Sequence, residues 1–387
     1  MFNDLSSVFL LDGATGTELQ KRGMEKGVCP EKWVLEHPEA IREVQQGYAR
    51  AGSRMVYAPT FGANRASLKS HGFAADVRTL CRDLVAISRD AVPDSILVAG
   101  DISPTGLQLM PYGTADFDEL VDIYTEQAEA LEEAGVDLFG IETQMSLPEA
   151  RAAMIAVRKV SRKPVLISFA CGESGRSVMG TDLSAALLSL QDLGADAYGI
   201  NCGGDLKLIA RLLGQMRRYS RLPLIAKPNA GMPQLVNGQS VYSMTPADFA
   251  AAAGELVSSG AALLGGCCGT CAAHIEALAQ ATYGMHPYPF APDPAVTAVA
   301  ASQTRVVEID GDTEYAELPI DDDLLENMID AMSEGAEVLK LHIRNEDDID
   351  TIDDCQYGLS LPLSVTFEDD SLKAPFLYIY HGKALLN

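Results

Sequence analysis

The sequence has 387 residues, 47% of them hydrophobic, which is enough to bury one large core and a smaller second unit. Its formal net charge of −25 argues against a nucleic acid or an anionic membrane as partner, because both are bound through an excess of Lys and Arg. Residues 301–387 contain 21 acidic and 5 basic residues, a net charge of −16 that leaves −9 for the first 300 residues, so the acidic excess belongs mainly to this segment.

The amino-terminal segment, residues 1–7, has no basic stretch of the kind that begins a signal peptide. The apolar run at 8–11 is too short for the hydrophobic part of one. No stretch approaches the roughly 18 uninterrupted apolar residues that cross a bilayer. We therefore expect a cytoplasmic protein, in which thiols stay reduced, so that the 8 cysteines indicate metal binding or catalysis rather than disulfides.

Short apolar runs alternate with longer amphipathic stretches along residues 1–284. The runs end near Asp12, Pro59, Asp101, Glu142, Ala170, Cys202, Asn229 and Cys267. Successive ends lie 27 to 47 residues apart, the length of a strand, a helix and two loops. Eight such units predict an α/β fold of the (β/α)₈ TIM barrel type. A doubly wound open sheet gives the same alternation, but eight units over this length favour closure into a barrel.

Within this region the apolar spacing predicts a helix over 116–134, and Thr181 with Asp182 is a capping sequence for a helix that ends near Leu193. Four prolines between 285 and 302 are typical of a linker. The last segment, 303–387, reads as a small acidic α/β appendage of unknown role without a chemical motif. Its pattern predicts a helix at 321–334 and strands at 305–309, 338–343, 361–367 and 376–380.

Three cysteines stand where apolar runs meet glycine: Cys202 at one run end, and Cys267 with Cys268 at another. Three thiolates predict one zinc ion with an open fourth position, which is typical of a catalytic site. Two alternatives remain open at this point. Cysteines are often small buried hydrophobic residues, and Cys268 with Cys271 also has the C-x-x-C spacing of a redox pair.

The carboxyl ends of barrel strands meet at one mouth, where such folds build their sites. Polar residues at distant run ends should therefore share one cavity. This argument predicts a common site from Asp12, Glu142, Cys202, Asn229, Cys267 and Cys268. Cys171 follows the fifth run into the same mouth and is a weaker candidate ligand.

Five segments, in this order along residues 5–283, resemble the homocysteine S-methyltransferase family. They are residues 11–17 (LDGATGT), 140–143 (GIET), 199–202 (GINC), 228–233 (PNAGMP) and 265–270 (GGCCGT). The fourth segment and the region around Asp182 are most similar to the homocysteine module of cobalamin-dependent methionine synthase. The resemblance implies a zinc barrel that methylates the sulfur of homocysteine.

Carried over by position, the resemblance implies that Cys202, Cys267 and Cys268 are catalytic zinc ligands. It assigns Asp12 and Glu142 to the substrate's ammonium group, and it has Asn229 offer its side-chain oxygen to zinc when substrate is absent. Cys171 and Cys271 stand where relatives are expected to carry other residues, and their role stays open.

The five segments do not identify the methyl donor. The 87 residues after position 300 are too few for the modules that bind folate and corrinoid in cobalamin-dependent synthases, and the sequence contains no D-x-H-x-x-G corrinoid motif. We expect the methyl donor to be methylcobalamin, supplied by a partner that is a corrinoid protein or a methyltetrahydrofolate-binding module on another chain. An alternative donor is a small sulfonium or quaternary amine such as S-methylmethionine or betaine. An alternative function is that of a non-catalytic zinc-binding scaffold.

Overall fold

A computed structural model of the protein describes residue 2 and the ranges 5–236 and 239–387. Residues 1, 3 and 4, part of the segment in which no signal peptide is predicted, and residues 237 and 238 lie outside these ranges. Within the described ranges, none of the helices combines the length and the hydropathy that a bilayer crossing requires.

The strands up to residue 264 belong to one parallel sheet and one small hairpin. They are β1 (Phe9–Leu10), β2 (Met55–Tyr57), β3 (Leu97–Ile102), β4 (Leu138–Gln144), β5 (Val165–Phe169), β6 (Ala197–Asn201), β7 (Leu224–Lys227), β8 (Gln234–Val236), β9 (Gln239–Val241) and β10 (Ala261–Leu264). The hairpin consists of β8 and β9, which pair antiparallel. The other eight strands lie in the spatial order β1-β10-β7-β6-β5-β4-β3-β2.

The two outer strands of this order, β1 and β2, lie side by side. The backbone N–H of Arg54 donates to the carbonyl of Leu10 at 2.8 Å, and the hydroxyl of Ser53 donates to the carbonyl of Leu11 at 3.0 Å. The carboxylate of Asp12 accepts a further bond from the N–H of Tyr57 at 3.0 Å. These contacts join the ends of the sheet, and the predicted (β/α)₈ barrel is confirmed.

Helices follow the strands and surround the sheet. In chain order they are α1 (Gly16–Lys21), α2 (Pro30–Glu36), α3 (Pro38–Ala51), α4 (Arg65–Ser70), α5 (Val77–Ala91), α6 (Phe117–Glu133), α7 (Leu147–Val160), α8 (Leu183–Asp192), α9 (Leu206–Arg217), α10 (Pro246–Ala251), α11 (Ala253–Ser258) and α12 (Ala272–Ala281). Two predicted starts are confirmed, because the carboxylates of Asp116 and Asp182 accept backbone N–H bonds at the first turns of α6 and α8.

Side chains inside the barrel separate into an apolar floor and a polar mouth. The floor contains Phe9, Leu11, Met55, Leu138 and Ile225, all 3% exposed or less. Every second side chain of a strand points into the barrel. Lys227 lies two positions after Ile225 on β7, and Glu142 lies four positions after Leu138 on β4. Both side chains therefore point into the barrel above the floor, at the end that forms the mouth.

The appendage is a second, four-stranded parallel sheet with its own core. A short hairpin, β11 (Val299–Ala301) with β12 (Val306–Glu308), precedes it. The sheet has the order β13-β14-β15-β16, with helices between successive strands. Its elements are β13 (Tyr315–Glu317), α13 (Leu324–Ser333), β14 (Val338–Ile343), α14 (Glu346–Cys355), β15 (Leu363–Phe367), α15 (Lys373–Ile379) and β16 (Leu385–Leu386).

One sequence prediction in the appendage is wrong. Residues 376–380, read as a strand from their aromatic and β-branched content, lie mostly in the helix α15. The strands on either side, β15 and β16, pair in parallel, and a parallel pair needs a crossover connection, usually a helix. Phe376 on this helix is fully buried in the appendage core, so tertiary packing overrides local propensity here.

The appendage packs against the barrel through specific polar contacts. Arg151, on α7 and 3% exposed, donates to the hydroxyl of Ser189 at 2.8 Å and to the carbonyl of Leu377 in α15 at 2.7 Å. Arg218 makes a two-point contact with Glu308 at 2.6 and 2.7 Å. Basic side chains of the barrel therefore meet the acidic appendage directly.

Candidate functional site

A cavity of about 370 Å³ opens at the mouth of the barrel. Five of the six predicted site residues line it: Asp12, Glu142, Cys202, Cys267 and Cys268. The sixth, Asn229, is 5% exposed and hydrogen-bonds through its side chain to Cys202. The structure therefore brings together all six residues from strands that are far apart in sequence.

The thiol groups form a compact trio on one wall. The Sγ atoms of Cys202, after β6, and of Cys267 and Cys268, after β10, all lie within 4.8 Å of one another. Hydrogen bonds from Cys267 and Cys268 lower the pKa of Cys202, and the bond to Cys202 raises the pKa of each partner. Without a cation the trio thus stabilises only one thiolate. We call these three cysteines, together with Asn229, the thiol side.

The thiol side fits a zinc ion. Zinc bonds to sulfur are about 2.3 Å long, so a tetrahedral site requires sulfur atoms about 4 Å apart, compatible with this trio. The Oδ1 atom of Asn229 is buried and has no hydrogen-bond partner among the described residues. A buried carbonyl oxygen without a donor is costly, and a metal ion held by the trio would give it a partner. The residues present therefore fit three thiolate ligands and one oxygen.

The other cysteines do not join the trio. Cys271 is the N-cap residue of α12, and its sulfur lies 3.3 Å from Nδ1 of His274. Burial raises the pKa of the Cys171 thiol to about 11. All eight cysteines are free, which leaves the C-x-x-C pair of Cys268 and Cys271 without a disulfide.

Two residues at the cavity have left-handed backbone conformations that side chains other than glycine rarely adopt. Thr143 has a φ of 60° and Cys202 a φ of 56°. Asn201 supports both positions: its Oδ1 accepts the N–H of Thr143 at 2.9 Å and the hydroxyl of Ser168 at 2.8 Å, and its Nδ2 donates to the Thr143 hydroxyl at 2.7 Å. This buried asparagine fixes the turn that presents the Cys202 thiol.

The loop after β10 is held in a similar way. The hydroxyl of Thr270 donates to the carbonyl of Cys267 at 2.8 Å and accepts the N–H of Ala14 at 3.1 Å. Gly269 has a φ of 82°, and a Cβ there would lie 2.3 Å from the ring of Tyr242. Glycine thus lets Tyr242, which follows the β8–β9 hairpin, cover the thiol side.

The opposite wall carries carboxylates, and the chain provides its own cation there. Lys227 Nζ lies 2.6 Å from Glu142 Oε1, 3.4 Å from Asp12 Oδ1 and 3.8 Å from the ring centroid of Tyr57. The Lys227 side chain is 3% exposed. Although burial alone lowers the pKa of Lys227, the charges of Glu142, Tyr57 and Asp12 raise it well above its usual value. The lysine therefore stays an ammonium ion.

A third carboxyl group, Asp101 at the end of β3, lies in the same wall. It is 7% exposed, and its Oδ1 has no hydrogen-bond partner among the described residues. Burial, followed by the negative charge of Glu142, raises the pKa of Asp101 well above its usual range. We call Asp12, Asp101, Glu142 and Lys227 the acid side.

Sequence reasoning did not identify Asn201, Lys227 or Asp101 as site residues. Asn201 and Lys227 directly precede Cys202 and Pro228 of the recognised segments, and Asp101 is one of the run ends. A lysine that ends an otherwise apolar strand of a barrel was the available signal, because a buried lysine requires a carboxylate partner.

Comparison with protein families and curated sequences agrees with this geometry. The family model described as homocysteine S-methyltransferase matches residues 9–282. Methionine synthase of Mycobacterium tuberculosis (strain ATCC 25618 / H37Rv) is 31% identical over 295 residues, and that of Mycobacterium leprae (strain TN) is 30% identical over 295 residues. Each match covers 71% of this chain but 24% of the relative, so the chain spans about a quarter of the curated proteins it matches.

Solved structures include a protein that the match covers over nearly its whole length. The crystal structure of the homocysteine methyltransferase MmuM from Escherichia coli in its metallated form is 28% identical, with a TM-score of 0.60. The oxidized form of the same protein is 29% identical, with a TM-score of 0.59. Each comparison covers 70% of this chain and 95% of the other, so nearly the whole of that protein has a counterpart in the barrel.

Proposed function

This chain belongs to the homocysteine S-methyltransferase family, and from that premise we propose that it transfers a methyl group to the thiol of homocysteine, giving methionine. The observation that carries the proposal is the cavity in which three thiols within 4.8 Å of one another face a wall of carboxylates. One wall has the ligands of a metal that activates sulfur, and the other has acceptors for an amino acid.

The residues divide the work as follows. Zinc, when held by Cys202, Cys267 and Cys268, supplies the positive charge that turns the acceptor's thiol into a thiolate at neutral pH. In this proposal the unpartnered oxygen of Asn229 completes the ligand set. The acid side binds the amino-acid end of homocysteine, where we predict a contact from Glu142. Sulfur then bonds to the methyl carbon, while the bond between carbon and donor breaks and leaves its electrons on the donor.

We infer that the donor is a methylcorrinoid carried by a separate protein. Large apolar side chains are exposed on the loops after β2, β3, β4, β5 and β7: Phe61, Met110, Tyr112, Met145, Met179 and Met232. Because these loops surround the mouth, a partner that docks there brings its methyl group to the cavity. Exposed apolar patches of this kind mark surfaces for protein partners. In this view the enzyme acts in methionine biosynthesis in the cytoplasm.

The second candidate is an enzyme that takes its methyl group from a small sulfonium or quaternary amine and has no protein donor. The cavity volume of about 370 Å³ favours it, since that space lies within the range of sites for small molecules. A scaffold without catalysis is the third reading. It gives no reason for three thiols and three carboxyl groups to share one cavity.

One experiment separates these readings. The zinc-loaded protein and homocysteine are incubated in parallel reactions with one donor each: methylcobalamin, a methylated corrinoid protein, S-methylmethionine or betaine. Methionine is then measured. We expect turnover with methylcobalamin, and with the methylated corrinoid protein at a lower donor concentration. Turnover with S-methylmethionine or betaine alone supports the second candidate. The absence of methionine in every arm, with zinc bound, supports the scaffold.

A further inference from the structure

The carboxylates of Asp12 and Glu142 are already paired with a cation from the chain itself. The ammonium of Lys227 lies 2.6 Å from Glu142 and 3.4 Å from Asp12, with side-chain exposures of 3% for the lysine and 2% for Asp12. The aromatic face of Tyr57 covers the same ammonium at 3.8 Å. Since this lysine sits between the two carboxylates, the position that a substrate ammonium would take between them is filled.

Asp12 has little capacity left for a ligand. Its Oδ1 faces Lys227, and its Oδ2 accepts the backbone N–H of Tyr57 at 3.0 Å. The second bond lies between the ends of β1 and β2, where the barrel closes. The carboxylate of Asp12 therefore joins two strands and a buried lysine, which are structural tasks.

Asp101 is in the opposite situation. It is buried, its Oδ1 has no partner among the described residues, and it lines the same cavity as Cys202. Its strand position pairs with Gly140 on β4, two residues before Glu142. Two carboxylates thus share one lysine ammonium, and the third carboxyl group, whose Oδ1 has no partner among the described residues, lines the cavity. The ammonium group of a ligand would give this buried carboxyl group the hydrogen-bond partner that it lacks.

We propose that the α-ammonium group of the acceptor thiol binds to Asp101 together with Glu142, and that Lys227 permanently occupies the place between Asp12 and Glu142. Asp101 is then the residue that distinguishes amino thiols from thiols without an amino group. The inference rests on the proposed function, because it takes homocysteine as the acceptor.

The test compares two thiols that differ only in the amino group, homocysteine and 4-mercaptobutyrate. Binding to the full-length, zinc-loaded protein is measured by calorimetry for the wild type and for Asp101→Asn. We expect the wild type to prefer homocysteine about tenfold or more, the usual range for a hydrogen bond between charged groups. In Asp101→Asn the dissociation constant for homocysteine should rise until that preference is within about twofold, whereas 4-mercaptobutyrate should bind as well as before.

Asp12→Asn is the matched control, because it makes the same carboxylate-to-amide change in the same wall. It should keep the preference for homocysteine even if both dissociation constants shift. A lost preference in Asp12→Asn together with a retained one in Asp101→Asn overturns the inference and returns the ammonium to Asp12. A zinc-loaded wild type that binds neither thiol overturns the proposed function and the inference with it. The zinc content of each variant is measured to check that its metal site is intact. If Asp101→Asn does not fold, Asp101→Ser is used to repeat the test.

Discussion

The two walls of the cavity each gather groups that can carry negative charge, but they balance that charge differently. The acid side contains a cation of the chain, Lys227, whose ammonium contacts two of its carboxylates. Nothing comparable lies beside the thiols within the described residues: the three thiols hydrogen-bond to one another, and the oxygen of Asn229 has no hydrogen-bond partner. The acid side has its own cation for two of its carboxylates but no partner for Asp101 Oδ1 among the described residues, whereas the thiol side depends wholly on a cation from outside.

This difference teaches which cation each wall still lacks. Buried charges must be paired, whichever source supplies the partner. On the thiol side the missing partner has the charge and ligand preference of zinc. On the acid side it has the charge of one further ammonium group, which a substrate can provide.

The largest expected effect is on metal binding. The wild type should bind about one zinc ion per chain, and Cys202→Ala should leave almost none, because loss of one of three thiolates removes the tetrahedral ligand set. Cys171→Ala is the matched control, since that buried thiol lies outside the trio, and it should keep its zinc. Metal analysis of purified protein measures both. Stoichiometric zinc in the double variant Cys202→Ala/Cys267→Ala would show that the ion is held elsewhere.

Removal of the internal cation should have the next largest effect. Lys227→Met leaves Asp12 and Glu142 buried without their partner, and we expect it to lower the free energy of unfolding by about 3–5 kcal/mol. Lys21→Met is the matched control. Its ammonium lies 2.7 Å from Glu18, but the side chain is 56% exposed, so its loss should cost less than about 1 kcal/mol. Equal costs in urea denaturation would mean that the buried pair contributes no more than a surface pair.

The cost of Lys227→Met should also depend on pH. Burial raises the pKa of Asp12 from 3.8 to about 6 against the opposing charge of Lys227. A carboxyl group whose pKa is higher in the folded state binds more protons there, so stability falls as the pH rises through this window. Without Lys227 the pKa of Asp12 rises further. The variant should therefore lose more stability at pH 8 than at pH 5, and a constant difference would argue against this coupling.

Much of this organisation was predictable from the sequence, and the parts that were not share a cause. Eight apolar runs predicted the barrel because buried parallel strands need such runs, and the glycine context of Cys202 predicted a common thiol cluster. The ion pairs of Lys227 were missed, because nothing in the local sequence indicates that this side chain turns inward. Its partners Glu142 and Asp12 precede it by 85 and 215 positions in the chain. Residues 376–380 were misread for the same reason, because only the pairing of β15 with β16 requires a helix between them.

Substrate binding should change the ligands on the thiol side. X-ray absorption of the zinc-loaded protein should show three sulfur ligands without homocysteine and four with it, as the substrate's sulfur replaces the weaker oxygen ligand that we assign to Asn229. About one proton should be released at neutral pH, because the thiol binds as a thiolate. Glu142→Gln should raise the dissociation constant for homocysteine and leave the zinc content intact. An unchanged sulfur count would contradict this binding mode.

The smallest effect at the site should follow from removal of the appendage. A chain that ends at residue 302 loses the carbonyl of Leu377, which accepts a bond from Arg151, and the contact between Arg218 and Glu308. Both guanidinium groups then become hydrated, so the loss of stability should be only about 1–3 kcal/mol. None of the site residues belongs to the removed segment, and zinc content and the dissociation constant for homocysteine should stay within about twofold of the full-length values.

Turnover with a protein-borne donor should fall more than turnover with free methylcobalamin, because the appendage lies beside the loops of the mouth: Tyr112 and Tyr357 contact each other with ring centroids 6.3 Å apart. Loss of homocysteine binding in the shortened chain would mean that the barrel depends on the appendage for its site, and the division into two functional units would be wrong.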